Sequence, residues 1–350
     1  MNKLAGLFIG MGFVVGCGTD FVPDPPAPPG TGVETLPNLV VPPAPLPGQG
    51  WQVITPIVDN LQPGSDTEMC TWTDIYADSE SPSQLYRDVR STLSTQTQPP
   101  GHHVVVYYTT VNQPAGTSRV CNDADMASFR FLAGSGGEGT ANTAPGDLVY
   151  RLPQGSQVVI NHHYLNSTDQ VLSGQSVINI NFADPNAGPY TPSGNTAFVD
   201  TSLVVQMGPN ATYPAVPTDD IHCVIPTTGP TAKPMKLWYF IPHMHQWGQH
   251  IDIYLTQSGV KTQVVDQDWD PSFAFSPPDP FYADLTQPLN SPTGPKVLNP
   301  GDEVDVHCEW NNDSGMVLPF GFEMCVAFGE FIDDQNEGSW ACDGGNWTTF

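Results

Sequence analysis

Seven of the nine histidines in this chain fall into three short groups. The groups are His102 with His103, His162 with His163, and His243 with His245 and His250. An isolated histidine is more often a hydrogen-bonded structural residue than a ligand. Neutral imidazole is nevertheless the commonest metal ligand in proteins, and three groups together favour metal binding.

The third group has the spacing of a ligand pair. Side chains at i and i+2 of a strand lie on the same face, so His243 and His245 can converge on one ion while Met244 points away. His250 is a candidate for supporting those ligands through a hydrogen bond rather than binding the ion itself.

The other two groups consist of adjacent residues, which face opposite ways on a regular strand. Joint binding by His102 and His103 therefore requires a strand end or a distorted backbone, and Gly101 after two prolines provides such a place. By the same alternation, only one of His162 and His163 can face a common site.

The overall composition excludes some partners. The formal net charge is -26, with only 10 Lys and Arg residues, so the chain has little to neutralise phosphates and nucleic acid is not an expected partner. An apolar fraction of 39% is enough for a real hydrophobic core.

The N-terminal residues are typical of an export signal. Lys3 precedes the short apolar run Leu4 to Val15, which is too short to span a bilayer, and Cys17 follows. We interpret residues 1–17 as a lipoprotein signal ending at a lipidated Cys17; the alternative is an ordinary signal peptide with an accidental cysteine. We expect an outer-membrane or cell-surface protein that contacts the membrane only through its lipid anchor.

The remaining chain is predicted to be almost entirely β. Residues 18–50 are rich in Pro and Gly and predict an extended tether. Beyond Trp51, short runs of β-branched and aromatic residues alternate with turn residues. The clearest predicted strands are Val104–Thr109, Gln157–Tyr164, Ser176–Phe182, Lys236–Ile241, His250–Thr256, Glu303–Trp310 and Phe320–Phe328.

A polar, Pro- and Gly-containing stretch from Asp184 to Asn195 suits a domain junction. We therefore predict two tandem antiparallel β-sandwich domains, residues 51–190 and 191–350. Setting Cys17 aside, six cysteines remain, and in an exported protein they predict three disulfides. Spacing alone leaves about 15 connectivities open.

Four motifs occur in the order seen in one enzyme family. They are Gly-His-His-Val (101–104), Asn-His-His-Tyr (161–164), His-Met-His-Gln-Trp-Gly (243–248) and Glu-Met-Cys (323–325). This series resembles the copper type II ascorbate-dependent monooxygenases, which include peptidylglycine alpha-hydroxylating and dopamine beta-monooxygenases. The resemblance covers about Met69 to Cys342.

The resemblance implies two copper ions and jelly-roll-like domains with a cleft between the two copper sites. It assigns the electron-supplying copper to His102, His103 and His163, the last chosen because Tyr164 follows it. It assigns the oxygen-binding, catalytic copper to His243, His245 and Met324. A thioether beside two imidazoles suits the soft ion Cu(I) better than zinc or a hard cation.

The same resemblance implies the pairing of the cysteines. It pairs Cys70 with Cys121, Cys223 with Cys342, and Cys308 with Cys325. The last bridge is then expected to brace the strand beside Met324. The additional first-domain disulfides of the family have no counterpart in this sequence.

The implied reaction inserts one atom of O2 into a C–H bond with electrons from ascorbate or a similar donor. The Arg, Asn and Tyr that grip a carboxylate in the peptide-hydroxylating branch correspond here to Ile241, Val326 and Phe328. A buried carboxylate needs paired donors, so we expect an apolar or aromatic substrate rather than peptidylglycine. Those three residues would line its pocket, and Asn161 would add one polar contact.

The same ligands would also serve a different class of protein. A non-enzymatic copper-binding lipoprotein that stores or delivers the metal is the alternative, and a purely structural surface protein is a third possibility. The presence of two complete sites favours an enzyme, because a carrier needs only one. His222 and His307, each beside a cysteine, are interpreted as structural.

Overall fold

The computed structural model describes residues 34–76, 85–136, 141–213, 221–229, 231–274, 281–320, 322–334 and 338–349. The predicted signal segment 1–17 and the beginning of the predicted tether lie outside these residues. No helix in the described ranges has the length and apolar character needed to cross a membrane.

The structure is almost entirely β, which confirms the predicted fold class. In the N-terminal half the elements are β1 Gly50–Ile54, β2 Val58–Leu61, β3 Asp66–Ile75, β4 Tyr86–Gln96, β5 Gly101–Thr109, β6 Ser118–Val120, α1 Asp123–Ser128, β7 Arg130–Gly136, β8 Ala141–Thr143, β9 Leu148–Pro153, β10 Gln157–Leu165, β11 Leu172–Gly174 and β12 Ser176–Phe182.

The C-terminal half contains further strands and one 3-10 turn, Pro271–Ala274. The strands are β13 Thr191–Val199, β14 Val204–Val205, β15 Gly208–Tyr213, β16 Ile221–Val224, β17 Met235–His243, β18 Gly248–Gln257, β19 Val260–Asp268, β20 Phe281–Tyr282, β21 Lys296–Leu298, β22 Glu303–Asn312, β23 Leu318–Pro319, β24 Val326–Ile332, β25 Trp340–Asp343 and β26 Asn346–Thr349.

The apolar core forms two main clusters, one centred in each half, and the first also includes Trp238 and Ala283 from the C-terminal half. The core of the N-terminal half includes Val106, Ile160 and Ile178, which belong to strands of two different sheets. The core of the C-terminal half includes Phe240 on β17 and Ile253 on β18, again from two sheets. Each half therefore buries apolar side chains between facing sheets, as in a β-sandwich.

One sheet runs through both halves. Its main path is β1-β12-β4-β9-β13-β24-β17-β20, and its crossing point is a parallel pairing of β13 with β9 at Thr191–Leu148 and Pro192–Val149. The predicted junction Asp184–Asn195 therefore includes the beginning of a strand shared by both halves. Division into two independent domains stays a prediction.

The long alternating strands lie close to their predicted positions, with one exception. The predicted strand Phe320–Phe328 is wrong at its beginning, because β24 starts only at Val326. Met324 therefore lies in the loop before the strand. Among the described residues of this loop, Phe320 and Glu323 form an isolated bridge.

Residues 34–49, within the predicted tether, lie against the protein. The carbonyls of Pro42 and Pro43 accept hydrogen bonds from Gln52 and Asn179, both at 2.8 Å. The Thr95 hydroxyl donates to the Val40 carbonyl at 2.6 Å. This segment is therefore not the free spacer that we expected, because buried amide side chains bind its backbone.

Three disulfides join the pairs that the resemblance implies. They are Cys70–Cys121, Cys223–Cys342 and Cys308–Cys325. The first lies within the N-terminal half, and the other two lie within the C-terminal half.

Candidate metal-binding sites

His102, His103 and His163 form one cluster. Their ring centroids are 4.6 to 4.8 Å apart, and one ring nitrogen of each lies within 4.8 Å of the others. The Nδ1 atoms of His102 and His163 are 2.9 Å apart. Three imidazoles that converge in this way are a suitable donor set for copper or zinc.

A β-bulge brings the two adjacent histidines together. On β10, His163 pairs with His103 and Tyr164 pairs with Gly101, so His102 is an extra residue on β5. A bulge of this kind redirects a side chain at the end of a ladder. The distorted backbone expected from the sequence is present.

Gly101 is required at this bulge because its backbone is closely packed. A Cβ added there would lie 2.5 Å from Gln96 Cβ and 2.8 Å from the Thr97 carbonyl oxygen. The sequence therefore has a steric reason for glycine immediately before the histidine pair.

His162 lies on the opposite face of β10, as strand alternation requires. Its side chain is fully buried, with Thr71 Oγ1 2.9 Å from Nε2 and the Tyr164 hydroxyl 3.0 Å from Nδ1. Burial lowers the pKa of His162 to about 3, so the ring is neutral near pH 7. His162 is a structural residue, and His163 is the member of the pair that joins the cluster.

Asp66 orients His163 and was missed by sequence reasoning. Its carboxylate contacts Nε2 of His163, which leaves Nδ1 directed at His102. A carboxylate on the distal nitrogen is the usual support of a metal-binding histidine. Asp66 is 97 residues away in sequence, so only the register of β3 against β10 could have revealed it.

Two of the three imidazoles in the cluster are kept neutral by their surroundings. Burial, together with the charge that His163 can carry, lowers the pKa of His102 to about 4. Burial also lowers the pKa of His103 well below its ordinary value. Neutral imidazole is the form that binds metals, so these two side chains are available as ligands at neutral pH.

The second histidine pair lies at the end of β17. The rings of His243 and His245 are 5.1 Å apart, and Met244 between them is buried in the core, as alternation predicts. His245 Nδ1 is 3.1 Å from the Phe322 carbonyl oxygen, which leaves Nε2 as the free nitrogen for a ligand. Burial lowers the pKa of His243 to about 3.

Glu323 connects this pair to the loop that carries Met324. Its side chain is fully buried, and its carboxylate accepts hydrogen bonds from the backbone N–H groups of His245, Trp247 and Met324. Oε1 accepts the hydrogen bonds from His245 and Met324, and Oε2 accepts the one from Trp247 at 3.1 Å. One carboxylate therefore fixes the backbone of both segments that were predicted to supply ligands.

Sequence reasoning missed the role of Glu323, although it lies within a quoted motif. Burial raises the pKa of its carboxyl group, whereas His245 and the three N–H donors act in the opposite direction. The sequence does contain a signal, because Glu323 stands between the apolar residues Phe322 and Met324 and is therefore a candidate for burial. A buried carboxylate needs hydrogen-bond donors, so such a residue is expected to fix nearby backbone N–H groups.

The second histidine pair also contributes to the lowered pKa values in the first cluster. Positive charge on His245 lowers the pKa of His102, and His243 and His245 both act on His103 in the same direction.

Three of the four predicted pocket residues share a face with His243. In the pairing of β17 with β24, Ile241 is opposite Phe328 and His243 is opposite Val326. The Phe328 ring lies 5.8 Å from the His243 ring and is 42% exposed. This leaves an accessible aromatic surface directly beside the histidine pair.

Asn161 lies apart from this surface. It is fully buried, and its amide donates to Glu68 at 2.7 Å beside the Cys70–Cys121 disulfide. A side chain with no accessible surface cannot contact a substrate from solvent. Asn161 is therefore not part of an accessible pocket, and Val326, which is 1% exposed, is excluded for the same reason.

The remaining histidines pair with carboxylates. His222 contacts Asp305 at 2.6 Å, and His307 lies 3.7 Å from Glu309. His250 was only a candidate for supporting the second pair, and its ring nitrogens instead face carboxylates of its own hairpin, including Asp268 at 2.9 Å.

No protein-family model matches the chain, and no curated protein matches it. Among solved structures, the chain resembles an infectious bursal disease virus VP2 subviral particle with 9% identity, covering 84% of this chain and 75% of that one, at a TM-score of 0.18. A structure of the Gx strain of the same virus gives 11% identity, 85% and 75% coverage, and a TM-score of 0.18. Likeness at this level carries no argument about function.

Proposed function

We propose that this protein is a copper-dependent monooxygenase that hydroxylates a C–H bond of an apolar or aromatic substrate, with O2 and an ascorbate-like reductant. The observation that carries the proposal is the convergence of His102, His103 and His163 on one point, in a chain that has a second histidine pair beside an exposed aromatic ring. The family resemblance of the four motifs supports the same conclusion.

The donor atoms fit copper at both positions. His102, His103 and His163 would hold one ion, and His243, His245 and Met324 would hold the other. Imidazole and thioether donors are those that copper prefers, and three protein ligands leave a coordination position open. When bound, the two ions would supply single electrons and a place for O2 to react.

The protein's own residues would determine how the substrate is held. Ile241 and Phe328 offer apolar and aromatic surface beside His243, which favours a substrate that gains from leaving water. Neither can donate a hydrogen bond from its side chain to a carboxylate. Glu323 and Asp66 would keep the ligand imidazoles in place during turnover.

The test is copper stoichiometry combined with substrate-dependent oxygen consumption. Full-length protein with its disulfides formed would be loaded with copper and supplied with ascorbate and a panel of aromatic and aliphatic compounds. We expect two coppers per chain and hydroxylated product. Met324→Ala should abolish product while the His102 cluster keeps its copper, and Met316→Ala, at an exposed methionine, serves as the control.

The same experiment separates the alternatives. Two tightly bound coppers without turnover of any compound would favour the storage or delivery protein, which would use the same ligands. A chain that takes up no copper would overturn both proposals.

A further inference from the structure

A second polar region lies on the sheet that contains β15, β22, β18 and β19. Along β18 the side chains alternate strictly, with Ile251 and Ile253 buried in the core. His250 and Asp252 lie on the other face, where the strand meets β19. This face is not part of the two sites described above.

Four side chains converge at this place. Cross-strand pairing sets His250 opposite Asp268 and Asp252 opposite Asp266. The His250 Nδ1 atom is 2.9 Å from Asp268 Oδ1. Its Nε2 atom is 3.2 Å from Asp252 Oδ1 and 3.4 Å from Asp266 Oδ1.

This arrangement is incomplete without a cation. When Nδ1 donates its proton to Asp268, the Nε2 lone pair faces two carboxylate oxygens, which repel it and each other. Like charges directly opposite on neighbouring strands destabilise a sheet. A proton or a metal ion between the three atoms removes the repulsion.

The distances suit a small tetrahedral ion. Zinc bonds to nitrogen and oxygen of about 2.0–2.2 Å place the ligand atoms roughly 3.3–3.6 Å apart. The two Nε2 to carboxylate distances, 3.2 and 3.4 Å, are close to this spacing. Asp268 on the distal nitrogen is the support that metal-bound histidines usually have. Gln263 donates to Asp252 Oδ1 at 2.6 Å and fixes that carboxylate.

We propose that His250, Asp252 and Asp266 form a third metal site, which binds a divalent transition-metal ion such as Zn2+, with Asp268 orienting the imidazole. The imidazole donor favours such an ion over Ca2+ or Mg2+, which prefer oxygen ligands alone. Binding replaces the proton on Nε2, so affinity falls as the pH is lowered.

A comparable triplet on the same sheet is weaker as a candidate. His222, Glu303 and Asp305 also bring one ligand atom each within 4.8 Å. However, Lys261 Nζ lies 2.9 Å from Asp305 Oδ2 and already supplies a positive charge there. The carboxylates around His222 are therefore partly neutralised by a lysine, which makes the His250 group the stronger candidate for a metal site.

The test is the number of Zn2+ ions bound by the full-length, disulfide-bonded protein in equilibrium dialysis at pH 7.5. Because the other histidine groups can also bind Zn2+, the informative quantity is the difference between variants. Asp252→Asn/Asp266→Asn and, separately, His250→Gln should each bind one ion fewer than the unmodified chain. Asp313→Asn, at an exposed aspartate in the turn after β22, should bind the full number.

Unchanged stoichiometry in both the double variant and His250→Gln would overturn the proposal. Loss of an ion from Asp313→Asn as well would also overturn it, because a general charge effect would then explain the result. Circular dichroism shows whether each variant is folded.

As a second measurement, Zn2+ should raise the melting temperature of the unmodified chain more than that of His250→Gln. This outcome does not depend on whether copper sites exist elsewhere.

Discussion

Among single residues, Glu323 has the most direct influence on the second histidine pair, since its two oxygens accept three backbone N–H groups. In Glu323→Gln one oxygen becomes an NH2 group that faces a donor. We expect a loss of about 1–3 kcal/mol in the free energy of unfolding, because at least one buried N–H loses its acceptor.

The same substitution should weaken copper binding at His243 and His245 and leave the His102 cluster unchanged. Chemical denaturation and copper stoichiometry measure the two effects. Glu309→Gln, at a half-exposed carboxylate, is the control and should change stability by less than about 0.5 kcal/mol. Wild-type copper affinity in a folded Glu323→Gln protein would show that the carboxylate does not position these ligands.

At the scale of elements, the bulge at the beginning of β5 makes the three-histidine cluster possible. In Gly101→Ala the added methyl would lie 2.5 Å from Gln96 Cβ, so the strand must shift. We expect a destabilisation of about 1–3 kcal/mol and weaker metal binding by His102 and His103.

Gly134→Ala on β7 is a matched control for this change. There the new Cβ would meet only the Phe131 ring, at 3.4 Å, which is ordinary contact. Thermal unfolding and copper titration of both variants test the prediction. Equal effects of the two substitutions would count against a special role for the bulge.

The Cys308–Cys325 disulfide joins β22 to the residue immediately before β24, which is next to Met324 in the sequence. It closes a loop with a sequence separation of 17 residues, so replacing both cysteines by serine should cost about 3 kcal/mol. Copper binding at the His243 pair should weaken at the same time.

Replacing Cys223 and Cys342 by serine gives the comparison. This bridge spans 119 residues and joins β16 to β25, neither of which carries a predicted copper ligand. Denaturation should show a loss of stability at least as large, with copper binding retained by the folded protein. Loss of copper binding in both variants to the same extent would indicate a general effect of destabilisation.

Sequence patterns predicted the strands better than the contacts between them. Alternation identified β12 with its observed bounds and separated His162 from His163, because both depend only on neighbouring residues. The loop Phe320–Cys325 resembled a strand because it is mostly apolar. The loop is instead held by hydrogen bonds that Glu323 accepts from residues 76 and 78 positions away in the sequence. A local pattern of apolar residues carries no information about such distant contacts. The contact of Asp66 with His163 was missed for the same reason.

At the scale of the whole molecule, the two halves are joined by a buried polar network. Glu330 on β24 accepts hydrogen bonds from Tyr150 on β9 and from Ser193 on β13, and Trp238 donates to Ser193. Burial raises the pKa of Glu330 to about 8. The neighbouring Tyr150, Tyr239 and Tyr282 all have raised pKa values, so they stay neutral in this range.

This network predicts a pH-dependent stability. The folded state holds the Glu330 proton more tightly than the unfolded state, so folding is increasingly penalised as the pH rises from about 4.5 to about 8. Glu330→Gln removes the penalty. We expect it to be close to neutral at pH 4.5 and to stabilise the protein by roughly 2–5 kcal/mol at pH 8.5.

Denaturation curves at the two pH values measure this difference, with Glu309→Gln as the control. An equal effect of Glu330→Gln at both pH values would contradict the assignment of a buried, protonated carboxyl group.

The shared sheet also determines what a cut in the chain would do. The exposed residues 185–189 precede β13, and no disulfide among the three crosses this point. Backbone pairing of β9 with β13 and the Glu330 network both cross it. A protease that cleaves there should produce two fragments that elute together under native conditions and separate in denaturant without any reducing agent. The molecule would then be a two-chain protein held together by its sheet, and its halves could be labelled, exchanged and reassembled separately.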